Sequence, residues 1–182
     1  MNYALGNVLL RRPEPGDLDA LYAFKNDPEV AAMLVGFTTG YALQDLREWI
    51  EAHRKRSNEV IWTIARAEDN ACLGHAGLYD VDQRVRSAEL GILIGPPAWG
   101  QGIGKKCVAF LLDYGFGELN LNRVWLSVLA TNERALRLYQ SMGFRQEGVL
   151  RQAQFKRDRF IDVIIMSMLR DERAGAAAHP QG

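Results

Sequence analysis

The chain has 182 residues, enough for one domain with a sizeable core. Its 22 basic and 22 acidic side chains cancel and apolar residues make up 48%, a composition ordinary for a soluble globular protein and lacking the basic excess on which nonspecific nucleic-acid binding rests. No apolar run approaches the ~20 residues of a membrane-spanning helix, and Met1–Leu10 shows no basic stretch leading into a long apolar one, so a cytoplasmic protein without a secretory signal is expected.

Taken in chain order, Val8–Arg12 predicts a short strand closed by Pro13 and Pro15. Leu18, Leu21, Tyr22 and Phe24 recur at near-helical spacing between Asp17 and Asn26, and Asp27-Pro28 ends that helix. A second helix is predicted from Leu43 to Arg56, with Leu46, Trp49 and Ile50 on one face. Its His53-Arg54-Lys55-Arg56 end sets cations where the helix macrodipole favours them. Val60–Arg66 and Ala71–Val81 read as strands joined at Glu68-Asp69-Asn70, and Arg86–Ile94 as a third, stopped by Gly95-Pro96-Pro97. A helix then runs from the Gly100–Gly104 turn to Gly115, with Ile103, Cys107, Leu111 and Tyr114 forming a packing face. Strand Arg123–Ala130, helix Glu133–Met142 and two strands, Glu147–Lys156 and Phe160–Met168, complete the pattern. Residues 1–172 are expected to form one α/β domain, and Arg173–Gly182 a disordered tail. Cys72 and Cys107 lack CxxC partners, so each reads as a buried free thiol and no metal site is expected.

The segment Trp99-Gly100-Gln101-Gly102-Ile103-Gly104-Lys105 carries the first chemical signal. Glycines at alternate positions open backbone conformations closed to other residues, and the strand–turn–helix context puts N–H groups at a helix N-terminus, where phosphate is favoured. A P-loop would need GxxxxGK[ST], and a dinucleotide fingerprint GxGxxG; GxGxG matches neither. A purely structural turn remains the alternative on this segment alone. Further on, Asn132, Ala135, Leu138, Tyr139, Gly143 and Phe144 form the pattern NxxAxxLYxxxGF.

Together the two motifs resemble the Gcn5-related N-acetyltransferase (GNAT) superfamily, in particular its RimJ/RimL-like branch, which includes ribosomal-protein N-terminal acetyltransferases and spermidine acetyltransferases. The family's coenzyme A loop is [RQ]xxGx[GA], with Trp99 here at the usual Arg/Gln position; the likeness extends over roughly residues 8 to 170. The resemblance implies a central, mostly antiparallel twisted sheet of six to seven strands with flanking helices and a splayed central strand pair. It also implies acetyl-CoA as acetyl donor, held by Ile92, Leu93 and Ile94 at the splay, by Trp99 through Lys105, and by Asn132 and Arg134. A free N–H on Leu93 or Ile94 would stabilise the developing oxyanion.

By the same resemblance Tyr139 is the general acid for the leaving thiolate, a phenol of ordinary pKa about 10 being protonated at neutral pH. On spacing alone Tyr139 is equally an aromatic on the packed face with Ala135, Leu138 and Met142. Asn132 also suits a helix N-cap. Glu89 is the candidate base, acting on the incoming amine through water, with a solvated or ion-paired glutamate as the alternative. His75 reads as a packed side chain before a base, and Cys107, on an apolar helix face, argues against a covalent intermediate.

The expected acceptor is a peptide or protein α-amine. The alternatives are a small amine (an amino-sugar nucleotide, a polyamine or a toxic amine) or a catalytically silent acetyl-CoA-binding module. The neutral loop Val35–Tyr41 counts against a polyamine, because the spermidine-acetylating relatives carry acidic residues there. Arg151–Arg159, with Lys156 and Arg157, is either a phosphate contact or a solvated hairpin. A monomer or homodimer is expected.

Overall fold

The computed structural model describes residues 2–36 and 40–177. The elements in order are β1 (Tyr3–Ala4), β2 (Val8–Arg11), α1 (Leu18–Lys25), α2 (Pro28–Met33), α3 (Leu43–Lys55), β3 (Val60–Arg66), β4 (Cys72–Asp82), β5 (Ser87–Ile94), α4 (Ile103–Gly117), β6 (Arg123–Leu129), α5 (Glu133–Ser141), β7 (Arg145–Lys156), β8 (Arg159–Leu169) and α6 (Arg170–Ala177). The strands form one sheet in the order β1-β2-β3-β4-β5-β6-β8-β7. Every neighbouring pair is antiparallel except β5 and β6. The expected α/β fold is present, with 8 strands in place of six or seven because the two-residue β1 adds an edge.

The main core lies between α4 and one face of the sheet. Ile103, Cys107, Val108, Leu111 and Leu112 are buried there with Ala76, Leu78 and Leu90 of the strands. A fully buried leucine contributes roughly 2 kcal/mol relative to exposure, so this stripe fixes α4 against β4 and β5. Tyr3, Trp62, Phe110 and Tyr114 extend the core as edge-on aromatic pairs. On another side a smaller cluster joins Leu18 and Leu21 of α1 to Leu46 and Ile50 of α3, with Trp49 packed against it. Tyr22, expected on the apolar face of α1, is instead 41% exposed.

A buried ion pair ties the start of the chain to this layer. Arg11 donates to both Asp17 oxygens at 2.8 and 2.7 Å, and Asp17 also accepts from Thr63 Oγ1 at 2.8 Å and the Glu14 N–H at 2.9 Å. Burial alone would raise the Asp17 carboxyl, but Arg11, the Glu14 N–H and Thr63 together hold it below the usual carboxylate range.

Two segments differ from expectation. Asp27-Pro28 ends α1 but also begins α2: Asp27 Oδ1 caps the Glu29 and Val30 N–H groups at 2.8 and 3.0 Å, and Pro28 suits the first helical position. Residues 170–177 are helical, so the expected tail boundary at Arg173 falls inside α6, and 178–182 lie outside the described residues. Among the described residues, no helix is long and apolar enough to cross a membrane.

Candidate active site

The site is built on a break in the middle of the sheet. Strands β5 and β6 pair only at Ser87↔Arg123, Ala88↔Val124 and Glu89↔Trp125. Beyond Glu89 they part, while β5 stays in register with β4 to Ile94 and β6 with β8 to Leu129. Each strand is thus held by its other neighbour, and the gap is fixed from both sides. The Gly95 N–H donates to the Leu73 carbonyl at 2.8 Å. Antiparallel alternation then assigns Leu93 to the bonded pair with His75 and turns the main-chain groups of Ile92 and Ile94 toward the gap. Of the two N–H groups expected there, Ile94's faces the opening and Leu93's faces β4. The Ile94 carbonyl is taken by the Trp99 indole N–H at 2.7 Å.

A cleft of about 650 Å³ follows this gap, from the Gly100–Lys105 turn past Tyr139 and Ser127 to Lys25 and Tyr41. Another recess, at Val149–Gln152, has Asp162 as its carboxylate, which already accepts the Gln152 N–H at 2.7 Å.

The three glycines of the turn serve two different purposes. Gly100 and Gly102 have φ of +76° and +71°, left-handed conformations that disfavour any Cβ, and Gly102 is the N-cap of α4. Gly104 lies close to α5, since a Cβ there would stand 3.2 Å from Leu138 Cδ2, which would have to give by a few tenths of an ångström. The turn therefore brings the N-terminus of a 15-residue helix, with its unpaired N–H groups, to the mouth of the gap. Lys105 is exposed at that mouth, whereas Lys106 is engaged by Asn7 Oδ1 at 2.6 Å. The Arg134 guanidinium sits 4.6 Å from the Trp99 ring centroid, so this tryptophan both anchors the turn to β5 and holds a cation beside it. These features fit an extended arm bonded by main chain in the gap and ending in a phosphate at the turn.

Asn132 caps α5 through the Ala135 N–H at 3.2 Å, and its amide donates to the Met33 carbonyl at 3.2 Å, tying α5 to the end of α2. The N-cap expected as its alternative role is therefore present, at a position that also lines the cleft. Tyr139 is 7% exposed and packs edge-on to Phe144 at 5.6 Å. Among the described residues no hydrogen bond reaches its hydroxyl, and the residue lines the cleft. Burial pushes the phenol up to about 12, so it stays protonated at any physiological pH.

Glu89 stands where β5 and β6 part, half-buried, with Ser127 Oγ donating to it at 3.2 Å. Burial raises its carboxyl, Asp80 adds to this, and the Ser127 bond opposes it. His75, by contrast, is neutral: burial pushes it down to about 3, with Lys25 and His53 contributing. Its Nδ1 meets the Tyr79 hydroxyl at 3.3 Å. The Tyr79 ring lies where Gly91 has no side chain, since a Cβ there would be 2.8 Å from Tyr79 Cε2. Cys107 is fully buried in the α4 core with its thiol pushed up to about 12, which removes it as a nucleophile.

At the far end of the cleft Val35 and Tyr41 belong to the loop weighed for the acceptor from sequence, whereas Lys25 and α2 were missed. Lys25, at the end of α1, lies 4.3 Å from the Trp49 ring centroid and 5.1 Å from that of Tyr41, and burial pushes its ammonium down to about 8. Residues of α2 and the segment after it also line the cleft, Val30 and Met33 among them. Part of the Val35–Tyr41 loop, residues 37–39, lies outside the described residues. The basic hairpin proves to be a support: Lys156 Nζ donates to the Ala31 carbonyl at 2.9 Å and Arg157 to that of Pro28 at 3.4 Å. Gln154 Oε1 accepts the Gly36 N–H at 3.0 Å, so β7 and its turn brace both α2 and the segment that follows it. Among the described residues there is no cluster suited to a metal ion.

Comparison with known proteins agrees with this geometry. The acetyltransferase (GNAT) domain family matches residues 7–145. The uncharacterized N-acetyltransferase p20 of Bacillus licheniformis is 33% identical over 170 residues, spanning 92% of this chain and 96% of that protein. The spermidine N(1)-acetyltransferase of Vibrio cholerae is 31% identical over 166 residues, 91% of this chain and 94% of its own. A crystal structure of spermidine N-acetyltransferase from Vibrio cholerae in complex with CoA and spermine superposes with a TM-score of 0.85 at 28% identity, covering 92% of this chain and 98% of that one.

Proposed function

The chain belongs to the acetyltransferase (GNAT) family, and from that premise we propose that it acetylates the primary amine of a small molecule by direct attack. The enzyme is an acetyl-CoA-dependent N-acetyltransferase; the cosubstrate supplies an activated acetyl thioester and a thiol leaving group. The observation that carries the reading is the unpartnered Tyr139 hydroxyl beside a gap whose other end is a phosphate-suited helix N-terminus.

In this reading Ile92 and Ile94 bond the pantetheine arm as a false neighbouring strand, and the N–H groups of the Gly100–Lys105 turn receive the pyrophosphate, with Arg134 and Lys105 adding charge. The Ile94 N–H faces the carbonyl oxygen on which negative charge develops. Tyr139 gives its proton to the departing sulfur. Glu89, directly or through water held with Ser127, takes the proton the amine must lose, which an alkylamine of pKa about 10 retains at neutral pH. Asn132 holds the arm where α5 begins.

Support for a small amine, in place of the peptide α-amine expected from sequence, comes from two sides. Among relatives named for an acceptor, the spermidine N(1)-acetyltransferases match 91% of this chain, whereas a putative ribosomal N-acetyltransferase of Bacillus subtilis matches 59% of it. Val30 and Met33 of α2 also line the cleft, and Lys156 braces that helix from the hairpin, which suits a compact acceptor. These relatives favour the spermidine-acetylating side of the RimJ/RimL-like branch over its ribosomal-protein side. Thiol release from acetyl-CoA, measured across small amines and short peptides, tests the reading. Turnover of small amines is expected; turnover of peptides alone would return the acceptor to an α-amine.

A further inference from the structure

Resting on that small-amine reading, we propose that the acceptor carries a carboxylate of its own, received at the far end of the cleft by Lys25 and His75. The charges lining the cleft point away from a polyamine. Glu89 is its one carboxylate among the described residues, and the mechanism already uses that group as base. A di- or triamine would bring further positive charges to a site whose remaining acceptor-side ion is Lys25.

Lys25 is an ammonium in search of an anion. It is drawn into the protein between Tyr41 and Trp49, whose ring faces stabilise a cation by about 0.5–2 kcal/mol. Lys25 is only half-buried, so these rings offset part, not all, of the cost of holding its ammonium there without a counter-ion. No carboxylate pairs with it among the described residues.

His75 supplies the second, independent observation. The Tyr79 hydroxyl lies 3.3 Å from His75 Nδ1, and in the tautomer where that hydroxyl is the donor the ring proton is on Nε2. That Nε2 is buried and has no partner. His75 packs on Trp49 at 5.0 Å between centroids, the same ring that Lys25 covers, and both side chains line the cleft. One full positive charge beside one neutral N–H donor matches a singly charged carboxylate, whose two oxygens accept from both. A phosphate dianion would be left with half its charge unmatched.

Matched acceptors of one chain length decide the matter: 5-aminopentanoate, pentylamine and 1,5-diaminopentane, with an α-amino acid beside its amide and glucosamine 6-phosphate as the phosphate arm. Initial rates are read as thiol release in wild type, Lys25→Met and Lys25→Arg. The expected result is a kcat/KM for the carboxylate member of a pair higher by on the order of tenfold or more. Lys25→Met, which keeps the bulk of the side chain, is expected to bring that ratio to about one through KM, and Lys25→Arg to retain it. Preference for the diamine, preference for the phosphate, or a carboxylate preference that survives Lys25→Met overturns the inference and leaves acetyl transfer standing. No thiol release with any amine overturns the underlying reading and this inference with it.

Discussion

Glu89 and Trp125 form the last rung of the parallel ladder between β5 and β6. One residue beyond that rung the sheet opens, and Glu89 is left half-buried at the fork with Ser127 as its neighbour. The position is a consequence of pairing. Because β4 retains β5 to Ile94 and β8 retains β6 to Leu129, the carboxylate is fixed at the vertex of the gap by four strands. The proposed acid, Tyr139, comes from a different element, α5, whose Leu138 lies close against Gly104 of α4.

Tyr139→Phe keeps the ring and its packing on Phe144 but removes the proton donor. Turnover should fall by roughly 10²–10⁴, with coenzyme A affinity by calorimetry unchanged. Undiminished turnover would take Tyr139 out of the mechanism.

As the proposed base, Glu89 is expected to set the acid limb of the rate profile. Burial raises its folded pKa and the base form is required, so activity is present above that pKa and is lost as pH falls through it. With an acceptor amine of pKa about 8, whose own limb lies higher, Glu89→Gln should erase the lower limb and reduce the plateau. Tyr139, pushed up to about 12, should add no descending limb below pH ~10. An identical acid limb in Glu89→Gln and wild type would assign the base elsewhere.

The coenzyme turn gives two separable variants. Gly102→Ala places a Cβ on a left-handed residue, a strain of roughly 1–2 kcal/mol, so acetyl-CoA affinity should weaken on the order of tenfold as the turn relaxes. Gly104→Val drives a side chain toward Leu138 and should separate α5 from α4, lowering turnover more than affinity. Equal affinity in Gly102→Ala and wild type would deny the turn its part in binding.

The site's halves differed in how far they could be read from sequence, and the reason is physical. The Trp99–Lys105 and Asn132–Phe144 segments carry their geometry locally: positive φ at Gly100 and Gly102, an N-cap at Asn132, a turn at Gly143. Residue type and spacing therefore expose them. Lys25 carries no such mark. At the end of α1 it reads as a cation suited to a helix terminus, and its burial comes from Tyr41 and from Trp49 of α3, distant in sequence. The hairpin cations were equally opaque, since Lys156 and Arg157 bond carbonyls of α2, more than a hundred residues earlier in the chain. The α2 helix was legible in principle, because Asp27-Pro28 serves as a start signal as well as a stop.

Asp17→Asn removes the charge that answers Arg11 while keeping the shape. Breaking a buried pair costs about 3–5 kcal/mol, so the denaturant midpoint should drop markedly at pH 7. Because the folded Asp17 pKa is depressed, its contribution is present above the unfolded value of about 3.9 and is lost as pH falls through the folded one. The gap between wild type and Asp17→Asn should therefore narrow in acid. A difference that persists undiminished at low pH would show that the pair is not the cause.

A crystal structure with coenzyme A bound tests the central arrangement most directly. The pyrophosphate is expected on the N–H groups of the Gly100–Lys105 turn, the arm along Ile92 and Ile94 in the gap, and the sulfur within hydrogen-bond reach of the Tyr139 hydroxyl. Coenzyme density outside the gap, or a sulfur turned away from that phenol, would contradict it.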